Sequence, residues 1–135
     1  MKYYVDTAIW RDLWENRKDT DKDLGKLASA FFNKIGAKGG KVVYSNLIVE
    51  ELSKTYKIHK IFKLFNRESK SLIKVYANKS QINQAIILSK EFNIPPPDGL
   101  HCLLARDNNA MVITRDRHFK KLSGFVLVRK PEDLI

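Results

Sequence analysis

The sequence predicts an α/β protein of three layers, with helices on both faces of a mostly parallel sheet of four or five strands. Three observations carry this expectation. Short runs rich in aromatic and β-branched residues alternate with longer stretches of helical period. Those runs are apolar nearly throughout, as strands covered on both faces must be. Two of them, Tyr3-Tyr4-Val5-Asp6 and Met111-Val112-Ile113-Thr114-Arg115-Asp116, end on an acid.

The elements follow in order. Met1 to Val5 reads as a buried strand with Asp6 at its carboxyl end, followed by a helix from near Ala8. Leu24, Leu27, Ala28, Phe31, Phe32 and Ile35 form one helical stripe, ended by Gly36 and Gly39-Gly40. Lys41 to Ser45 is a second strand, and Asn46 to Phe65 then takes up a helical period, read as one long helix with Glu50 and Glu51 in its first turns. Leu72 to Tyr76 is a short strand, and Ser80 is placed to cap a helix through Ala85, Ile86, Leu88 and Phe92. Pro95-Pro96-Pro97 cannot continue that helix, so Asp98 is expected as the N-cap of the next, before Leu100, Leu103 and Leu104. The strand ending on Asp116 comes next, then a further helix, and Phe125 to Val128 makes the last strand.

Composition bounds the function. The 135 residues suffice for one domain, residues 1–135, with a single core, and 44% hydrophobic with 30% charged residues is ordinary globular usage. No apolar stretch approaches the roughly 18 residues of a membrane span, and Met1 runs into a strand rather than a signal peptide, which predicts a cytoplasmic protein. Cys102 is the one cysteine, which excludes an internal disulfide and a Cys-rich zinc ribbon and suits a small core residue. Neither a Gly-x-Gly-x-x-Gly run nor a P-loop is present, so nucleotide-cofactor use is unsupported. His59, His101 and His118 have no paired ligand spacing. His101 is expected on the helix behind Asp98, and His118 on the surface near Asp116.

Four acids far apart in sequence, Asp6, Glu51, Asp98 and Asp116, would all be delivered to the carboxyl end of the sheet, where open α/β sheets bind ligands. Taken singly, Asp98 reads as a helix cap, Asp116 as a turn residue and Asp6 as a cap. Together, in a chain of formal net charge +10, they suggest a divalent cation and a polyanionic substrate. Hard cations such as Mg²⁺ or Mn²⁺ take oxygen ligands, and a pair of them activates water and neutralises charge in phosphodiester hydrolysis. Position makes Asp6 and Asp98 the direct ligands, Glu51 a ligand or holder of the attacking water, and Asp116 an outer or second-ion ligand. Thr7 and Thr114 are candidates for orienting water or carboxylate through their hydroxyls. Glu50 and Glu51 flank the apolar centre of their helix on opposite sides, which leaves the choice between them open.

Charge is concentrated between Lys54 and Lys79, where eight basic residues face one acid, Glu68. Lys57, Lys60, Lys63 and Arg67 fall opposite Ile58, Ile61, Phe62 and Phe65 on a helical wheel. The basic face suits a phosphate backbone or plain solvation, and the apolar face offers surface that a second protein chain could share.

The segments Tyr4-Val5-Asp6-Thr7, Ser45-Asn46-Leu47-Ile48-Val49-Glu50-Glu51-Leu52, Asp98-Gly99-Leu100-His101 and Ile113-Thr114-Arg115-Asp116-Arg117-His118-Phe119 resemble, in order and spacing, the four acidic motifs of the PIN-domain nucleases, in particular the small VapC-type ribonucleases. The resemblance covers essentially the whole chain. Gly99 departs from it, since the family more often has alanine after the third acid, and so does the triple proline. The resemblance implies a PIN-like three-layer fold and a Mg²⁺- or Mn²⁺-dependent endoribonuclease that takes RNA as substrate. It implies the toxin of a toxin–antitoxin pair, an antitoxin protein as partner and a homodimer. It also selects Glu51, whose acid stands directly before leucine. The alternatives are a basic, non-catalytic module that binds RNA or a protein partner, and a PIN-like nuclease of RNA processing or of structured DNA.

Overall fold

One sheet is built from β1 (Lys2–Val5), β2 (Lys41–Ser45), β3 (Leu72–Val75), β4 (Ala110–Ile113) and β5 (Val128–Arg129), all parallel, in the spatial order β3-β2-β1-β4-β5. The structure is a computed structural model and describes residues 1–135. Helices α1 (Thr7–Trp14), α2 (Leu24–Ala37), α3 (Asn46–Ser53), α4 (Ile58–Glu68), α5 (Lys79–Phe92) and α6 (Pro96–Asp107) connect the strands, with 3-10 turns at Arg117–Leu122 and Pro131–Leu134. This is the three-layer α/β/α arrangement that the alternation predicts. No helix is long and apolar enough to cross a membrane.

The two faces of the central strand show how the layers fill. Side chains alternate along a strand, so Tyr3 meets Phe31 of α2 edge-on at 5.8 Å while Tyr4 turns to His101 of α6 on the other face. On the first face Trp10 of α1 packs against Phe32 of α2 at 4.8 Å and Phe65 of α4 at 4.6 Å, and Phe65 also meets Tyr44 of β2. Trp10, Phe31 and Phe65 are fully buried, so this aromatic cluster anchors one layer. On the opposite face α6 lies against β4 and α5. β4 is buried at every residue, whereas β3 at the sheet edge is half-covered and turns Lys74 outward, which blunts the edge.

Four boundaries differ from the sequence reading. The helix expected over 46–65 breaks into α3 and α4. Ile61 and Phe65 follow Leu52 by nine and thirteen positions, about 180° and 220° around a continuous helix, and all three are fully buried. A straight helix cannot bury both sets, so the chain turns at Lys54–Lys57. The cap of α5 is Asn78 rather than Ser80: its Oδ1 accepts the Gln81 N–H at 2.8 Å while Gln81 Oε1 accepts the Asn78 N–H at 2.9 Å. Helix α6 begins at Pro96, with Pro95 in the cap position, so Asp98 sits within the first turn instead of capping it. The last strand is Val128–Arg129 rather than Phe125–Val128, and the helix expected before it is the 3-10 turn Arg117–Leu122.

Most of the apolar face of α4 is used by the chain's own core. Ile61 and Phe65 are fully buried in the chain's own core, Phe62 is partly covered, and only Ile58 is exposed. Gly99 is explained by its neighbour: a Cβ there would stand 3.2 Å from the Ala85 carbonyl oxygen, because α5 crosses α6 closely at that point. Cys102 is buried, and burial pushes its thiol up to about 12.

Candidate active site

Asp6 follows the last residue of the central strand, so the parallel sheet carries it to the carboxyl edge between β2 and β4. It occupies the N-cap position of α1, yet its side chain makes no capping bond. Instead Oδ2 accepts the Thr114 hydroxyl at 2.8 Å, delivered by the segment after β4. Glu51 comes from α3 and is held by the Thr7 hydroxyl at 2.6 Å and by His101 Nε2 at 3.1 Å. Oxygens of Asp6 and Glu51 and a nitrogen of His101 lie within 4.8 Å of one another. Glu50 is exposed and takes no part in this cluster.

Asp98 and Asp116 form a second group. Asp116 stands three residues past the end of β4, as the cap of the 3-10 turn, accepting the His118 N–H at 2.9 Å. His118 Nδ1 lies 3.0 Å from Asp98 and 3.4 Å from Asp116, and the ring is half-exposed at the mouth of the site. The Asp116 N–H also donates to the Thr114 hydroxyl oxygen at 3.1 Å, so Thr114 ties the two groups together.

His101 and Tyr4 are what the sequence reading missed. His101 is 2% exposed and bonds on both sides: Nε2 to Glu51, and Nδ1 to the Tyr4 hydroxyl at 2.7 Å. The Tyr4 hydroxyl also meets Ser45 Oγ at 2.7 Å, and that oxygen accepts the Ile48 N–H. An ionised Glu51 accepts, so Nε2 carries a proton, and in the neutral ring the Tyr4 O–H meets the lone pair of Nδ1. Nε2 therefore orients Glu51 and is not free to ligate a cation. A polar ring in the apolar run Leu100-His101-Cys102-Leu103-Leu104 was the available signal, since a buried imidazole requires partners.

Electrostatics divides the acids. Burial pushes Asp6 above the usual carboxylate range, with Glu51 adding to it and His101 and Thr114 opposing. Burial and the charge of Asp116 do the same to Asp98, against His118 and His101. Burial also pushes Glu51 up, but the His101 and Thr7 contacts outweigh it and leave that carboxyl below its ordinary value. A carboxyl raised in the folded state binds its proton more tightly folded than unfolded. The metal-free protein should therefore lose stability as pH rises from about 4 through the raised values of Asp6 and Asp98. Glu132, held down to about 2 after its bonds to Arg115 and Lys22 outweigh burial, acts in the separate window below pH 4, where its contribution is lost on acidification. Thermal melts in chelator should show Asp6→Asn with a flatter profile above pH 4 than the wild type. Parallel profiles would contradict the burial of a charge at Asp6.

The donor set suits a hard cation. Asp6 Oδ1, Asp98 Oδ1 and Asp116 Oδ2 have no side-chain partner, and with Glu51 they present carboxylate oxygens while His101 holds its neighbour in place.

The basic residues proposed from sequence lie elsewhere. Lys57, Lys60, Lys63 and Arg67 are exposed along α4, which runs back from the carboxyl side of the sheet, and Arg67 lies with Gly40 and Ser71 at the amino ends of β2 and β3. Only the Lys57 end of that face is on the acids' side.

Comparison with known proteins agrees with this architecture. The PIN-domain family model matches residues 3–124. VapBC2 of Rickettsia felis, solved bound to a DNA fragment from its promoter, is similar at TM-score 0.68 and 17% identity over 96% of this chain and 98% of that one. VapBC-1 of nontypeable Haemophilus influenzae gives 0.67 at 17% identity over 97% and 98%, and FitAcB of Neisseria gonorrhoeae 0.64 at 18% over 97% and 98%. No curated protein matches the sequence. The fold is shared at low identity, and the family match spans all four acids: the chain belongs to the PIN-domain family.

Proposed function

We propose that this protein is a Mg²⁺- or Mn²⁺-dependent endoribonuclease, acting in the cytoplasm as the toxin of a toxin–antitoxin pair. One observation supports it above the others: Asp6, Glu51, Asp98 and Asp116, from four separate segments, meet as two hydroxyl- and imidazole-braced groups at the carboxyl edge of a PIN sheet in a chain of net charge +10. The VapBC complexes among its structural likenesses support an antitoxin partner, and a homodimer belongs to the same reading.

Bound divalent cations would supply an activated water and neutralise charge on the phosphoryl oxygens. The residues of the chain do the rest. Asp6 and Asp98 offer free oxygens as direct ligands, and Thr114 fixes the direction of Asp6. Glu51, ionised and held by Thr7 and His101, is placed to ligate or to hold the attacking water. Asp116 adds negative charge beside Asp98, an outer or second-ion position.

The test is incubation of the purified protein with defined single-stranded RNAs, with Mg²⁺ or Mn²⁺ and with chelator. Internal cleavage that requires the cation is the expected result, and full cleavage in chelator would sink the mechanism. Glu51→Gln should reduce the rate far more than Glu50→Gln, because Glu50 makes no contact within the cluster. The opposite order would move the role to Glu50.

A further inference from the structure

Immediately beside Asp116 the surface folds into an open cavity of about 480 Å³, lined by Thr114 and Asp116 together with Lys120, Ser123, Arg129 and Lys130. Sheet pairing builds it. The Thr114 N–H donates to the Arg129 carbonyl at 3.0 Å, and Ile113 registers with Arg129, so the last strand sets Arg129 and Lys130 alongside the segment that carries Asp116. The 3-10 turn beginning at Arg117 brings Lys120 to the same space.

The charges there are not used by the fold. Arg115, also on the cavity wall, is engaged by Asp12 and Glu132 and serves as a structural cation between α1 and the C-terminal turn. The charged groups of Lys120, Arg129 and Lys130 form no ion pair, the Arg129 guanidinium reaches only the Val128 carbonyl, and Asp133 takes the Lys130 backbone N–H at 3.0 Å rather than its ammonium. Three free cations line the same space as Asp116, and Asp133 lines it as well. A volume of this size is in the range of small-ligand clefts.

We infer that this cavity is a phosphate subsite for single-stranded RNA, holding the backbone next to the bond presented to the acids. The inference rests on the nuclease reading. It sends the strand over the β4–β5 side of the sheet rather than along α4, whose basic face leads away from the acids. Hydrogen-bond donors and fixed positive charge are what backbone phosphates require, and Ser123 adds a neutral donor. The recognition is independent of base identity.

The experiment measures binding of a labelled single-stranded RNA in chelator over a range of KCl concentrations. Removing one cation that pairs with a phosphate lowers the salt slope by about 0.7 for a single strand. The triple change Lys120→Gln, Arg129→Gln, Lys130→Gln should therefore lower it by about 2. Lys120→Gln alone, on an exposed side chain, should lower it by about 0.7, which provides a readout should the triple variant not fold. Lys57→Gln, Lys60→Gln, Lys63→Gln removes equal charge and should lower the slope less. A slope untouched by the cavity changes, or an equal decrease in both triple variants, overturns the subsite. So does unchanged RNA binding with weakened affinity for an acidic peptide, which would give the cavity to a protein partner. Cation-dependent cleavage by the wild type is scored separately: a protein that cleaves but keeps its slope in the cavity variant refutes the subsite alone, and one that neither binds nor cleaves RNA refutes both.

Discussion

Asp6→Asn or Asp98→Asn is expected to lower cation-dependent RNA cleavage at least about a hundredfold while the protein stays folded. Lewis-acid stabilisation of a phosphoryl transition state is worth several kcal/mol, and each 1.4 kcal/mol or so is a factor of ten in rate. Asparagine keeps the size of the side chain but removes half of its ligand capacity for a hard cation. The fold should gain, because each substitution removes a charge from a site where burial already opposes ionisation. Single-turnover cleavage and a melt in chelator check both halves. Wild-type rates from the Asp6→Asn protein, with contaminating nuclease excluded, would remove Asp6 from the site.

His101→Leu should have the next largest effect. Removal of an outer partner to a cation-ligating group typically costs ten- to a hundredfold in affinity or activity. Leucine would also leave the buried Tyr4 hydroxyl and the Glu51 carboxylate each short of a bond, at about 1–3 kcal/mol of stability for each buried group stranded. His101→Gln keeps an N–H donor that can face Glu51 and should recover part of the activity. The discriminating measurement is the Mg²⁺ or Mn²⁺ concentration at half-maximal rate, which a merely structural histidine would leave unchanged once the protein is folded. Equal cation dependence in wild type and His101→Leu would deny His101 a positioning role.

The strands and their acids were legible because β1 and β4 are short, apolar and bounded, and because acids at strand ends or on the first turns beyond them have few other places to go. The break between α3 and α4 was not legible as a local signal. Nothing in Lys54-Thr55-Tyr56-Lys57 forces it; what does is the demand that Leu52, Ile61 and Phe65 all be buried. The Asp98 position slipped because proline starts helices as readily as it stops them, and α6 begins at Pro96. His101 was undervalued for a different reason: its partners, Tyr4 and Glu51, lie 97 and 50 residues away, and only the assembled sheet brings them within 3.1 Å. The cavity at Lys120, Arg129 and Lys130 likewise depends on the parallel pairing of a two-residue strand, too short to leave a periodic trace.

The place of β1 bears on the order in which the molecule can become complete. It leaves the ribosome before the other four strands of the sheet, yet it lies in the middle of that sheet, and its register with β4 pairs Lys2 with Ala110 and Val5 with Ile113. Until that late segment has emerged, β1 keeps a bare edge, Asp6 has no Thr114 hydroxyl, and Asp98 has neither Asp116 nor His118 beside it. Pairings so distant in sequence are slow to form. A nascent chain thus carries the first acids without the site, and if the finished protein cuts RNA, it cannot do so before the β4 segment, Asp116 and His118 have emerged.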